Sequence, residues 1–113
     1  MSVREMSETV EVSKEVFEPI AMLVRDGLFK DEKDALRSLV LDQAASKIRH
    51  FDSLIEKMHA KYDMSFEEFE ERIRSRKGAE SFDEWDDFII WESYESAREY
   101  WAGVQANLKG VNE

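Results

Sequence analysis

The sequence predicts a mainly α-helical, two-chain fold: one short N-terminal strand paired with its copy, a long second helix and a C-terminal helical extension. Three observations carry the prediction. Gly and Pro are scarce, four and one in 113 residues, so helices should be long and loops few. Apolar residues recur at helical spacing through most of the chain. Only residues 8–12, ETVEV, alternate apolar and polar with a period of two. A lone strand leaves its backbone N–H and C=O groups unpaired. Antiparallel pairing with the same strand of a second copy is the economical remedy and suits two-fold symmetry.

In that strand Val10 and Val12 point to one side, with Ser7, Thr9 and Glu11 on the other. Ser13 is a good N-cap for the next segment, where Val16, Ile20, Leu23 and Val24 recur at helical spacing and Gly27 is the natural stop. Pro19 lies beyond the first turn, removes one backbone hydrogen bond, and predicts a kink or a delayed start. Asp31 caps a second helix, with Asp34 as an imperfect capping-box partner. Leu36, Leu39, Val40, Ala44, Ile48, Phe51, Ile55, Met58 and Tyr62 then hold one broad stripe, and no Gly or Pro interrupts residues 32–62. At ~1.5 Å per residue such a helix is roughly 45 Å long, too long for a compact monomer of this size. It predicts a partner along its length.

Ser65 and Glu68 form a capping box for a third helix with Phe66, Phe69 and Ile73 on a narrow edge, ended by Gly78. Ser81 and Glu84 form another for the last helix. There Phe82, Trp85 and Ile89 share one face, and Trp91, Tyr94, Trp101, Val104 and Leu108 an adjoining one. The chain divides accordingly: residues 1–50 as a dimerisation domain, and residues 51–113 as a helical acidic-aromatic extension for partner binding.

Charge follows the same division. Residues 1–50 carry eight Lys/Arg against ten Asp/Glu, while residues 51–113 carry eight against sixteen. The second half therefore repels nucleic acid and favours a basic partner. There is no cysteine, which excludes disulfides, thiolate metal sites and cysteine nucleophiles. No apolar run approaches the roughly 20 residues that cross a bilayer. The opening MSVREMSETV has no apolar core of a secretory signal. A cytoplasmic protein is expected.

Nothing in the sequence reads as an enzyme, and no cofactor or metal is expected. His50 and His59 stand nine residues apart, a spacing foreign to metal motifs. Glu56 and His59 make half of a Glu-x-x-His pair with no second copy in the chain. Arg72, Arg74, Arg76 and Lys77 read as complement to a helix C-terminus before they read as a phosphate site.

Residues 80–101, ESFDEWDDFIIWESYESAREYW, hold all three tryptophans of the chain, eight carboxylates and one cation, Arg98. Trp and Tyr bury large areas and dominate interface hot spots. Carboxylates speed encounter with a basic partner. The predicted partner-binding residues are Phe82, Trp85, Asp86, Asp87, Phe88, Ile89, Trp91, Glu92, Tyr94 and Trp101. The competing reading packs Trp85, Ile89 and Trp91 back on the long helix at Phe51, Ile55 and Met58. One helix can do both, with different faces.

The string TVEVSKEVFEPIAMLVRDGLFKDEKDALRSLV resembles the ribbon-helix-helix superfamily of Arc/MetJ/CopG type. Gly27, Phe29, Asp31, Asp34, Ala35, Leu36 and Arg37 carry the resemblance at the turn and second-helix start. The tail from Lys61 to Tyr94 resembles those of microbial antitoxins of this architecture. The resemblance implies a homodimer through the N-terminal strand that binds and neutralises a cognate toxin, with a basic, ribonuclease-like toxin expected. It also implies repression of its own operon, with Ser7, Thr9 and Glu11 toward operator DNA and Lys30 and Lys33 beside a phosphate-anchoring turn. Glu11, Asp31 and Glu32 depart from the basic or small residues such a DNA face uses. A repressor acting mainly through its ribbon, or a purely structural helical dimer, are the alternatives.

Overall fold

A computed structural model of the chain describes residues 9–76 and 82–111. Four helices follow one another: α1, Lys14–Arg25; α2, Glu32–Tyr62; α3, Phe66–Ser75; and α4, Phe82–Val111. No strand occurs among the described residues. The mainly α expectation holds, and the ribbon-helix-helix fold is corrected. Residues 9–12 lead into α1 as irregular chain. The Val/Glu alternation suits extended backbone, but a strand exists only when its N–H and C=O groups meet another strand. The described residues, otherwise helical, supply none. Dimerisation through such a strand loses its basis with it.

The chain forms two compact units that divide at Leu39 and Val40, inside α2.

In the first unit the local signals act as their chemistry dictates. The Ser13 hydroxyl accepts from the Val16 N–H, and its carbonyl accepts from Phe17 at 3.0 Å. Pro19 sits inside α1, which runs unbroken for 12 residues. The helix closes with Gly27 at a φ of 83°, in the left-handed region that glycine adopts at no steric cost. There the Gly27 N–H donates to the Val24 carbonyl and the Leu28 N–H to the Leu23 carbonyl, each at 3.0 Å, which is the Schellman closure. Asp31 caps α2, accepting from the Asp34 N–H at 2.8 Å. The Asp34 carboxylate reaches one residue further back than a capping box requires, to the Lys30 N–H, and also holds Arg37 at 2.9 Å. No residue of α1 is buried.

The second unit holds the core. Ile55 of α2, Phe69 and Ile73 of α3, and Phe88 and Trp91 of α4 are buried together, with Met58, Tyr62, Met64, Phe66 and Tyr94 packed against them. α2 ends at Tyr62 because Asp63 turns to a φ of 54° while its N–H still reaches the His59 carbonyl. Asp is among the few residues that tolerate this conformation. Ser65 then opens α3 with the full capping box: its hydroxyl accepts from the Glu68 N–H at 3.1 Å, and Glu68 accepts from the Ser65 N–H at 2.9 Å. α3 ends at Ser75 with Arg76 as its cap. The expected stop at Gly78 and the Ser81 capping box lie outside the described residues.

Candidate partner-binding surface on the fourth helix

α4 has two faces with different fates. Its inner face carries Glu84, Asp87, Phe88, Trp91 and Tyr94. Trp91 is completely buried and lies against the rings of His59, Tyr62, Phe66 and Phe69, with centroids 5.4–6.3 Å away. Its indole N–H donates to Glu95 at 3.2 Å, so the buried nitrogen is not stranded. Phe88 stacks on Phe66 at 5.6 Å, and Tyr94 meets Phe51 at 6.2 Å.

Two carboxylates one turn apart fasten this inner face. Asp87 accepts from Lys61 at 2.6 Å and from the Tyr62 hydroxyl, so one α4 oxygen ties the end of α2. Glu84 accepts from Arg72 of α3 at 2.9 Å and from Arg76. Farther along, Arg98 donates to Asp52 of α2. Burial opposes ionisation of Asp87, but the bonds from Lys61 and Tyr62 outweigh it and hold its pKa below the usual carboxylate value. Burial first, and then donation to Asp87, push the Tyr62 phenol well above its ordinary pKa. The bond to Asp87 raises Lys61. The three groups are thus held as a carboxylate, a phenol and an ammonium at neutral pH.

The outer face is apolar and uncovered. Phe82, Trp85 and Ile89 recur at three- and four-residue spacing. They are 88%, 43% and 48% exposed. Ile90 and Tyr100 add to the exposed apolar surface. Asp83, Asp86 and Glu92 stand exposed among these residues. Along one flank runs a groove of about 440 Å³ lined by Phe66, Glu67, Glu92, Glu95, Arg98 and Glu99, among others. An exposed aromatic edge beside an acidic groove is a surface for a partner with apolar knobs and cationic side chains.

The predicted partner-binding residues therefore separate. Phe82, Trp85, Asp86, Ile89 and Glu92 are accessible. Phe88 and Trp91 belong to the core, Asp87 is a clamp, and Tyr94 and Trp101 are half-buried. The clamp residues Lys61, Tyr62 and Arg72 were not foreseen. They carry no sequence motif, since their partners lie 12 to 26 residues away in the chain.

The residues predicted to face DNA are not brought into one described site. Ser7 lies outside the described residues. Thr9 and Glu11 are exposed on irregular chain, and Lys30, just before α2, and Lys33, in its first turn, are exposed as well. The Lys30 N–H that a phosphate would use is donated to the Asp34 carboxylate at 3.2 Å. Among the described residues no group of three or more His, Cys, Asp or Glu side chains is arranged to hold a metal ion. His59 is spent on Trp91, ring to ring at 5.5 Å. No described helix is long and apolar enough to cross a membrane.

No family model, no curated protein and no solved structure matches the chain.

Proposed function

We propose that this chain is an antitoxin-type interaction protein that uses the outer face of α4 to cover a basic protein, a ribonuclease-like toxin being the specific partner envisaged. The observation that supports the reading is the exposed apolar edge of Phe82, Trp85 and Ile89 on a helix whose opposite face is already fixed in a core. Phe82 and Ile89 stand outside that core, and Trp85 borders it at the Phe88 ring, with centroids 5.7 Å apart. Large aromatics left in water beside carboxylates suit an interface in which apolar anchors supply affinity and acids supply encounter rate and discrimination. Asp83, Asp86 and Glu92 stand in for the phosphates that such a partner would otherwise bind. Operon repression through the N-terminal residues is not part of this reading, because the carboxylates of Asp31 and Asp34 already occupy backbone donors at the α2 start.

The test uses full-length protein as bait in extract of its native host, in wild-type form and as Trp85→Ala/Ile89→Ala. Neither side chain belongs to the buried cluster, and Trp85 only borders it at Phe88, so the variant keeps the core. A small basic protein held by the wild type and lost by the variant is the expected result. Its purified form should cleave RNA, and the wild-type chain should suppress that cleavage stoichiometrically. Equal capture by both baits, or a captured protein whose activity the chain leaves unchanged, would contradict the proposal.

A further inference from the structure

The outer face of α4 changes character halfway along. Ile89 and Tyr100 are both exposed large side chains. They stand eleven residues apart, close to three full turns, so they lie on one line of that face. The positions between them on this line are Ser93 and Ser96, both small and both exposed. At ~1.5 Å per residue the two walls are roughly 16 Å apart along the axis. The result is a notch with a small-residue floor and an apolar wall at each end. The Tyr100 ring is steadied edge-on by Trp101 at 5.2 Å. One rim is acidic, because Glu92 and Glu99 are exposed there. Both line the groove of about 440 Å³, which reaches the notch at Ser96. Arg98, the cation of that groove, is already paired with Asp52 and does not offset these carboxylates.

Shape and charge together select the occupant. α4 offers a strand nothing to pair with, since its own backbone groups are spent within the helix. A helix brings its backbone already satisfied. With side chains it is about 10–12 Å across, which fits between walls roughly 16 Å apart, and a floor of small residues lets it approach closely. Ile89 and Tyr100 require apolar residues beneath that helix, and the rim of Glu92 and Glu99 requires Lys or Arg at its side. We infer that the notch seats a basic amphipathic helix of the partner, crossing α4 at Ser93 and Ser96 with its cations against Glu92 and Glu99. The inference rests on the reading of α4 as a partner-binding helix, and it names the element of the partner that is held.

The test uses the full chain and a fluorescein-labelled synthetic helix of Ala, Leu, Lys and Arg whose leucines form one stripe. A control peptide has the same composition with the leucines spread around the helix. Binding is read by fluorescence anisotropy. The striped peptide should bind the wild type, and the control should bind roughly tenfold more weakly or worse. Ser93→Tyr/Ser96→Tyr fills the notch without changing charge, and Glu92→Gln/Glu99→Gln removes the acidic rim. Each should weaken the striped peptide by roughly tenfold or more. All four positions are exposed, so both variants should keep the helical circular dichroism of the wild type. No binding of the striped peptide, equal binding of the two peptides, or full affinity in the notch-filled variant would each overturn the inference. The two readings fail separately. A chain that captures a basic ribonuclease but not the striped peptide sinks this inference alone. A chain that binds the striped peptide through the notch, but whose captured partner does not cleave RNA, sinks the antitoxin reading alone.

Discussion

Trp85 and Trp91 are six residues apart on one helix and serve opposite purposes. Removing Trp91 empties a site bounded by three helices, and a large-to-small change of that kind costs about 3–5 kcal/mol. Trp85 is 43% exposed and borders the core at the Phe88 ring, 5.7 Å away, so its replacement by Ala should cost about 1 kcal/mol, well below the loss at Trp91. Urea unfolding followed by circular dichroism checks both values, and equal losses would refute the assignment of faces. The Asp87 clamp makes a separate prediction. Its pKa is depressed, so its contribution is present above the ordinary carboxylate value of 3.8 and is lost as pH falls through the lower folded-state value. Unfolding free energy of wild type and Asp87→Asn should therefore differ at neutral pH and converge in acid. A gap independent of pH would show that the carboxylate's charge is not what the clamp uses. The two aromatic faces were legible from spacing, but not which of them is buried, since Phe88 and Trp91 read as partner-binding alongside Trp85. The clamp was not, because Lys61, Tyr62 and Asp87 are joined only once α2 and α4 are placed side by side.

At the scale of the element, capping chemistry was the most readable signal. Ser13, Gly27, Asp31 and the Ser65–Glu68 box all act at the ends the sequence marks. Replacing Ser65 by Ala should cost about 1 kcal/mol, since it strands the Glu68 N–H at the start of α3. Differential hydrogen exchange should place the loss at residues 65–68, and protection lost elsewhere would contradict it. The strand was misread for a physical reason. Alternation at Val10 and Val12 reports which side chains avoid water, whereas a strand is decided by a second backbone, on which the sequence of one chain is silent. Pro19 was overweighted in the same way. One missing hydrogen bond in a solvated turn does not break α1. The stripe along α2 was visible as a run of apolar residues, but its division between two units at Leu39 and Val40 was not.

For the whole molecule, net charge bears on how the proposed partner is met. The second unit carries a net of −7 over residues 40–113, so a basic partner is drawn to it from a distance. Added salt should therefore slow capture of such a partner by screening that attraction. Association rates measured at low and at moderate ionic strength check this, and a rate independent of salt would argue against it.

The most direct test of the central claim is binding of the captured basic protein, once purified, to wild-type chain and to Trp85→Ala/Ile89→Ala by calorimetry. The account predicts that the double substitution weakens binding at least a hundredfold while the chain keeps its helical circular dichroism and a cooperative unfolding transition. Retained affinity in a variant that has lost both outer-face anchors would mean that α4 does not present its partner surface there.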